Sequence, residues 1–173
     1  MPPGPRRRRL ARAAALTLAA SAAAGVPADA VRTEDSATGL LPWTVIVGAL
    51  RMDLVQLLPD FVRAAYGSRG LPDEMIEGVA TQCVFGTIVR NTSDAPLSYD
   101  VSRWRYVTAD GEAHRIKTKT EWLAEWEDLG VAFKWSILPD AQTFSPGDWG
   151  QGFTTIDLPS GSTFDLRYTW SQH

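Results

Sequence analysis

The chain has 173 residues, of which 45% are hydrophobic and 21% are charged, and its formal net charge is −3. This composition excludes a collagen-like chain and a chain that is disordered throughout, because the apolar fraction is sufficient for a packed core. The single cysteine excludes an internal disulfide and a cysteine-based zinc site. The acidic balance argues against a general nucleic-acid binder.

The first thirty residues have the three parts of a secretory signal peptide. Four arginines at positions 6–9 form a positive head, an uncharged alanine-rich run extends from Ala13 to Val26, and Ala28-Asp29-Ala30 is a small-x-small cleavage site. The uncharged run is too short to cross a bilayer as a helix. We therefore predict cleavage after Ala30, by the general or the twin-arginine route, and a periplasmic or secreted mature chain without a transmembrane helix.

Removal of residues 1–30 changes the charge balance of the protein. The remaining 143 residues carry twelve basic and nineteen acidic side chains, so the mature net charge is −7. All seven tryptophans remain, and six of them lie after residue 103. A chain of this length buries enough apolar surface to fold as a domain without disulfides.

The residues between the signal peptide and position 81 predict a strand and two helices. Residues 31–39 are small and polar and predict a flexible lead-in. The β-branched centre of residues 40–50 predicts a buried strand, with a helix as the alternative. Pro59 and Pro72 each suit the first turn of a short helix. We expect residues 40–80 to form a strand plus a helical segment packed on the main domain.

From residue 81 the pattern changes to short strands separated by turns. Cys83–Val89 is apolar on both faces and predicts a central strand. Alternating apolar residues predict a half-buried strand over 131–137 and the clearest strand of the chain over 164–170. The alternation changes phase near Ser102, which predicts a bulge or a break there.

The dipeptide Asp110-Gly111 predicts a β-hairpin. A three-residue loop closed by Gly111 pairs Tyr106 with His114 and continues to a pair between Trp104 and Ile116. This register leaves one apolar face and one face that carries the cations Arg103, Arg105, Arg115 and Lys117. A two-residue loop would mix aromatic and cationic side chains, so the binary pattern favours the first register.

A helix is predicted after the hairpin, near residues 119–129. Thr118 and Glu121 have the spacing of a capping box. One stripe of apolar residues follows at helical spacing, namely Trp122, Trp126 and Leu129. This helix interrupts an otherwise β-rich half of the chain.

The second half of the chain has the turn pattern of a sandwich of antiparallel strands. Turn clusters at Asn91-Thr92-Ser93, at Ser145-Pro146-Gly147-Asp148 and around Pro159 separate its short strands. In this it resembles bacterial exported immunoglobulin-like domains, at the level of the fold alone. The resemblance implies a mainly β protein, with an antiparallel immunoglobulin-like β-sandwich over residues 81–173. The helices before residue 81 and the helix near 119–129 are additions to it, and no functional residue carries over.

Candidate catalytic and metal-binding residues are few. A nucleophilic pair or a soft site for Cu(I) would use Cys83 and His114, because the chain has one cysteine and its second histidine is His173. None of these residues, nor Met52 or Met75, lies at a recognised ligand spacing. We expect Cys83 to be a buried strand residue. The sequence predicts no catalytic constellation, no metal site and no cofactor, and copper delivery is an alternative function.

Two features of the sequence predict a contact surface. The hairpin cations suit an acidic partner or an anionic head group, and Trp149, beside glycines, is the tryptophan most expected to be exposed. We expect an exported, non-catalytic binding or accessory module whose contacts are made by Arg103, Arg105, Arg115, Lys117 and Trp149. Its expected partner is another exported or membrane protein rather than a nucleic acid, and a glycan such as a peptidoglycan strand is the alternative.

Overall fold

The computed structural model describes residues 31–32, 42–134 and 136–173. The signal peptide predicted over residues 1–30 lies outside the described residues, as do positions 33–39 of the predicted lead-in. Val31 and Arg32 form a short strand instead of a lead-in, because their backbone pairs with that of Thr44 and Trp43.

The described residues form eleven strands, three α-helices and one 3-10 helix. The strands are β1 (Val31–Arg32), β2 (Trp43–Val47), β3 (Leu50–Leu57), β4 (Cys83–Asn91), β5 (Leu97–Asp100), β6 (Arg105–Val107), β7 (Ala113–Arg115), β8 (Ala141–Phe144), β9 (Trp149–Ile156), β10 (Asp165–Arg167) and β11 (Trp170–Gln172). The helices are α1 (Pro59–Gly67), α2 (Asp73–Ala80) and α3 (Lys119–Asp128), and the 3-10 helix is Val101–Arg103.

The strands form three antiparallel sheets, with the orders β1-β2-β3-β4-β9, β10-β6-β7 and β11-β5-β8. The protein is therefore mainly β, as predicted. β4 lies between β3 and β9 and pairs with both over its length, which confirms the central strand expected at Cys83–Val89. The strand expected within residues 40–50 is β2, whereas β3 was not predicted.

The main core lies on one face of the five-stranded sheet, which we call the inner face. Side chains from β3 and β4 cluster there with side chains from the two smaller sheets and the segments between them. The fully buried members include Leu50, Met52, Cys83, Val89, Leu97, Trp104, Ile116 and Phe144. Removal of this apolar surface from water is the main stabilising contribution to the fold.

The three helices cover one end of the opposite face, which we call the outer face. Leu57, Val84 and Thr155 are antiparallel partners and lie in one row on this face. Val84 and the partly buried Leu57 pack with Val62, Tyr66, Met75, Val79, Trp122 and Trp126 of the helices. The indole nitrogen of Trp122 donates a hydrogen bond to Oγ1 of Thr155 at 3.1 Å, which fixes α3 to the sheet.

The helices begin and end close to the positions predicted from the sequence. α1 has Pro59 as its first residue. α3 begins with the predicted capping box, in which the Thr118 side chain accepts from the Glu121 N–H and the Glu121 side chain accepts from the Thr118 N–H. No helix in the described ranges is long and apolar enough to cross a membrane.

The strand predicted over residues 131–137 is wrong. Apart from residue 135, which lies outside the described residues, this segment is irregular and makes a single isolated bridge, from Ile137 to Phe153. Phe133 instead packs its ring against those of Tyr66 and Trp126, at centroid distances of 6.0 and 6.2 Å. The described apolar residues of the segment, Val131, Phe133 and Ile137, pack in the cluster that the helices form with the outer face, and of these three Ile137 alone bridges to a strand.

The single strand predicted over residues 164–170 is also wrong, because the structure divides it between two sheets. β10 pairs with β6, and β11 pairs with β5. Apolar residues alternate through both strands because the apolar side chains of this segment all pack against the main core, namely Phe164, Leu166, Tyr168 and Trp170. The break predicted near Ser102 is confirmed, as the 3-10 helix between β5 and β6.

Candidate functional site

The outer face of the five-stranded sheet has one end that the helices do not cover. The antiparallel pairings Ile46–Arg51, Arg51–Arg90 and Arg90–Trp149 form one continuous row across β2, β3, β4 and β9. Antiparallel partners share a face, and positions two residues apart along a strand lie on that same face. We call this row and the adjacent one the open face, made of Ile46, Arg51, Arg90, Trp149, Thr44, Asp53, Ile88 and Gln151.

Exposure on the outer face increases from the helix-covered end to the open face. Val84 and Thr155 are each 1% exposed, and Ile88 is half-buried. In the last row Ile46 is 61% exposed and Trp149 is 50% exposed. These two side chains are two of the four large exposed hydrophobic residues in the described part of the chain, and the other two, Leu58 and Phe61, lie at the start of α1.

Trp149 and Arg90 are directly paired neighbours on the open face. The guanidinium carbon of Arg90 lies 5.9 Å from the centroid of the Trp149 ring, within the range of a cation–π contact. The turn before β9 presents the tryptophan: Oδ2 of Asp148 accepts from the N–H of Ser145 at 3.0 Å, and Gly147 has a φ of 81°. Trp149, the tryptophan most expected to be exposed, is the exposed one among the described tryptophans.

The second arginine of the open face has a carboxylate partner of its own. Nε of Arg51 donates to Oδ2 of Asp53 at 3.0 Å, and the Thr44 hydroxyl donates to Oδ1 of the same carboxylate at 2.6 Å. The hydrogen bond to Asp53 raises the pKa of Arg51 above its ordinary value. Asp53 is therefore bonded to both Arg51 and Thr44, whereas Arg90 has its cation–π contact with Trp149 and forms no ion pair with a carboxylate of the described ranges.

The hairpin register predicted from the sequence is confirmed. Tyr106 pairs with His114 and Arg105 with Arg115, and Gly111 has a φ of 87°, the left-handed conformation that glycine adopts readily. Trp104 and Ile116 lie beyond the ends of this short ladder, and both are buried in the main core.

The hairpin cations are held by partners within the chain. Arg115 pairs with Glu121 at 2.7 Å, and Lys117 pairs with Glu125, so both side chains tie the hairpin to α3. Nζ of Lys117 also lies 3.6 Å from the centroid of the Trp122 ring.

The other two predicted contact cations are engaged near the 3-10 helix. Arg103 pairs with Asp100 at 3.3 Å, and Arg105 donates to the carbonyl oxygens of Ser102 and Trp104 at 2.8 and 2.7 Å. Trp149, the fifth predicted contact residue, belongs to the five-stranded sheet rather than to the hairpin sheet. The predicted contact residues thus fall in two places, and the four cations already have partners.

Cys83 and His114, the residues considered for a metal or thiol site, make other contacts. Cys83 is fully buried, and its Sγ lies 3.5 Å from both Nε2 of Gln56 and the carbonyl oxygen of Pro159. His114 stacks on the Tyr106 ring at a centroid distance of 5.0 Å. Within the described residues, no three His, Cys, Asp or Glu side chains are grouped so that they could hold a metal ion.

A shallow groove on the β11-β5-β8 sheet contains a serine–histidine contact that the sequence did not suggest. Oγ of Ser98 lies 2.9 Å from Nε2 of His173 and 2.8 Å from Oγ1 of Thr143. A nucleophile needs a base that is itself held in place by a third group. In the described part of the chain the histidine with a carboxylate nearby is His114, not His173. The contact therefore lacks the third member of a catalytic triad.

No protein-family model, curated protein or solved structure matches this chain. The function is therefore inferred from the residues and geometry of the molecule itself.

Sequence reasoning identified Trp149 but missed the rest of the open face. A signal for it was present in the alternation of β3, where Arg51 and Asp53 separate Leu50, Met52 and Leu54. Such alternation marks a strand with one face that is not buried. Which strands place their polar positions beside Trp149 depends on the pairing of β2, β3, β4 and β9.

Proposed function

We propose that the mature chain is an exported, non-catalytic binding module that docks a protein partner through the open face. The observation that carries this proposal is the row of paired residues in which Ile46 and Trp149 are exposed at the two ends and Arg51 and Arg90 lie between them. Tryptophan and arginine are the side chains most enriched among those that dominate binding energy at protein interfaces. The export signal expected over residues 1–30 is part of this proposal.

The scaffold in this proposal is a β-sandwich of immunoglobulin-like character. Support comes from the main core, in which side chains of the five-stranded sheet cluster with side chains of both smaller sheets. The helices cover the outer face of the five-stranded sheet at one end only. In this arrangement the open face is a rigid surface, because each of its residues lies on a strand hydrogen-bonded to a neighbour.

The dimensions of the open face suit the centre of a protein interface. A row across four strands spans three inter-strand distances, or about 14 Å, and the adjacent row adds about 7 Å along the strands. This area is a small part of the roughly 800 Å² that each partner buries in a standard interface, so the open face supplies the centre of such an interface and not the whole of it. We expect polar residues around the open face to form the rim.

Aliphatic side chains favour a protein over a glycan as the ligand. Ile46 and the half-buried Ile88 present branched apolar groups that suit apolar side chains of a partner. Sugar rings stack on aromatic faces, and Trp149 is the aromatic residue of the open face. A glycan is nevertheless the second candidate ligand, because the exposed indole of Trp149 has the amide of Gln151 on the same strand and face.

Site-specific photo-crosslinking tests this function. A benzophenone amino acid at Gln151, which is exposed on β9, should yield an adduct with a second protein in producing cells, and the W149A and I46A substitutions should abolish it. The same probe at Thr143, which is exposed on β8 in another sheet, is the matched control and should yield no such adduct.

Two results would contradict docking of a protein by the open face. One is an adduct at Gln151 that persists in both substituted chains, and the other is the absence of any protein adduct. Sedimentation with insoluble peptidoglycan that is lost in W149A, in the absence of a protein adduct, would instead support the glycan. Circular dichroism of each variant checks that the fold is retained.

A further inference from the structure

We infer that the partner presents carboxylate side chains to Arg90 and Arg51, between two apolar contacts to Ile46 and Trp149. This inference rests on the proposed function, because it specifies the chemistry of the surface that the open face would bind. The four residues concerned form the outermost row of the outer face.

Arg90 needs a carboxylate from the partner once the partner covers it. A partner that covers both Ile46 and Trp149 also covers the guanidinium groups between them. Removing a guanidinium from water is costly unless an opposite charge and hydrogen bonds replace the solvent. Arg90 has a cation–π contact with Trp149 and no carboxylate partner within the described ranges, so the anion has to come from the bound molecule.

The local charge of the open face, and not the net charge of the chain, favours an acidic partner. The mature chain carries a net charge of −7, which opposes the approach of an acidic molecule to the rest of its surface, whereas the open face contains two arginines and one aspartate. Asp53 is already bonded to Arg51 and to Thr44, which leaves a local excess of positive charge at Arg90. Complementary charge guides association and determines which partner is accepted.

A second copy of this chain is a poor occupant of the same surface. A two-fold axis perpendicular to the row would bring Trp149 of one copy onto Ile46 of the other. The same operation would bring Arg90 onto Arg51 of the other copy and gather four guanidinium groups at the centre. Two of these cations would have no carboxylate, so a face-to-face dimer is disfavoured by repulsion and desolvation.

The strand spacing defines the pattern required of the partner. Arg51 and Arg90 lie on adjacent strands, so their backbones are separated by about 4.8 Å, and Ile46 and Trp149 lie one strand further out on each side. The expected surface therefore carries neighbouring Asp or Glu side chains flanked by apolar groups about 14 Å apart. Paired hydrogen bonds between guanidinium and carboxylate would orient the two proteins.

Charge reversal on the open face provides the test. With the benzophenone probe at Gln151, the R90E and R51E substitutions should each lower the yield of the partner adduct by about tenfold or more. The matched control is R167E, which makes the same charge change at an exposed arginine of β10 and should leave the yield within about twofold. R90Q separates loss of the cation from the introduction of a negative charge.

Mass spectrometry of the adduct identifies the contacted surface of the partner. The expected surface contains Asp or Glu, and exchanging one of these residues for Lys should restore the adduct with the R90E chain. The inference is overturned if the contacted surface is basic, if the adduct is a second copy of the chain, if it is a glycan or a lipid, or if R90E and R51E leave its yield unchanged.

The experiment separates this inference from the proposed function. If W149A abolishes a protein adduct while R90E and R51E leave its yield unchanged, the open face docks a protein, but the inference that the partner presents carboxylates is wrong. If W149A and I46A also leave the yield unchanged, both the inferred carboxylates of the partner and the proposed docking role of the open face are contradicted. A thermal unfolding curve of each variant excludes loss of the fold as the cause.

Discussion

The backbone of Leu138 lies directly against Gly152, so that a Cβ atom on Gly152 would lie 2.3 Å from the Leu138 nitrogen. Two hydrogen bonds hold the segments together: the N–H of Leu138 donates to the Phe153 carbonyl at 2.9 Å, and the N–H of Phe153 donates to the Ser136 carbonyl at 2.6 Å. These two hydrogen bonds form the bridge between Ile137 and Phe153, and they fix the middle of β9, the strand that begins with Trp149. A glycine is required at position 152 because any side chain would displace this bridge.

Substitution of Gly152 by Ala should destabilise the protein. The added methyl group meets backbone atoms of Leu138 and Ile137 that cannot move without breaking the bridge, so we expect a loss of about 1–3 kcal/mol or more. The measurement is the free energy of unfolding in urea. Gly78→Ala is the control: this glycine lies inside α2 with nothing near its Cβ position, and the change should stabilise by about 0.5–1 kcal/mol. Equal effects of the two substitutions would refute the role of Gly152.

Replacement of Trp149 by Ala should leave the stability almost unchanged. The ring is half exposed, and its contact with Arg90 is at the surface, so we expect a loss of at most about 1 kcal/mol. Trp104→Ala is the comparison, because Trp104 is fully buried in the main core and its truncation should cost about 3–5 kcal/mol. Thermal unfolding of both variants gives the measurement. A large loss in W149A would mean that Trp149 stabilises the fold rather than a contact surface.

The thiol of Cys83 should not react with thiol reagents in the folded protein. Its side chain has no exposed surface, and its sulfur is enclosed by Gln56 and Pro159, so reagents reach it only after unfolding. Labelling with a chromogenic disulfide reagent should be slow in buffer and complete in denaturant. Rapid labelling without denaturant would contradict the burial and would make a thiol-based function worth testing again.

The capping box of α3 should make part of the stability depend on acid pH. Hydrogen bonds from the Thr118 N–H and then from the Arg115 guanidinium lower the pKa of Glu121 from 4.5 to about 2. Because the folded-state pKa is the lower one, ionised Glu121 stabilises the fold above about pH 4.5, and this contribution is lost as the pH falls toward 2.

The E121Q substitution measures this contribution. At pH 7 the variant should be less stable by at most about 1 kcal/mol, since the ion pair is largely exposed. The difference should shrink as the pH falls toward 2 and disappear below it, where the protonated carboxyl group resembles the amide. Denaturant midpoints across this range give the result, with Glu127→Gln, an exposed acid on the same helix, as the control. A difference that does not change with pH would contradict the assignment.

Local signals in the sequence predicted the elements whose boundaries depend on neighbouring residues. Pro59 begins α1, Thr118 and Glu121 cap α3, and Gly111 closes the hairpin in the expected register. Each of these features acts within a few residues, through fixed φ angles or short-range hydrogen bonds. The same is true of the exposure of Trp149, which follows a glycine-containing turn.

Features that depend on distant partners were predicted less well. The alternation of residues 131–137 indicated a strand, but helices rather than a neighbouring strand cover Phe133. The alternation of residues 164–170 continued through a change of partner strand, because both halves face the same core. The alternation of apolar residues predicts that their side chains are buried, but it does not predict which helix or strand packs against them.

Composition and local pattern account for part of this protein, and strand pairing accounts for the rest. The sequence by itself determined a mainly β chain, the positions of its helices and turns, and the acidic charge expected after residue 30. Only the tertiary structure decided which cations have partners and which apolar side chains stay exposed. Strand pairing brings Ile46, Arg51, Arg90 and Trp149 into one row although up to 103 residues separate them in the chain, and local interactions do not act over such separations.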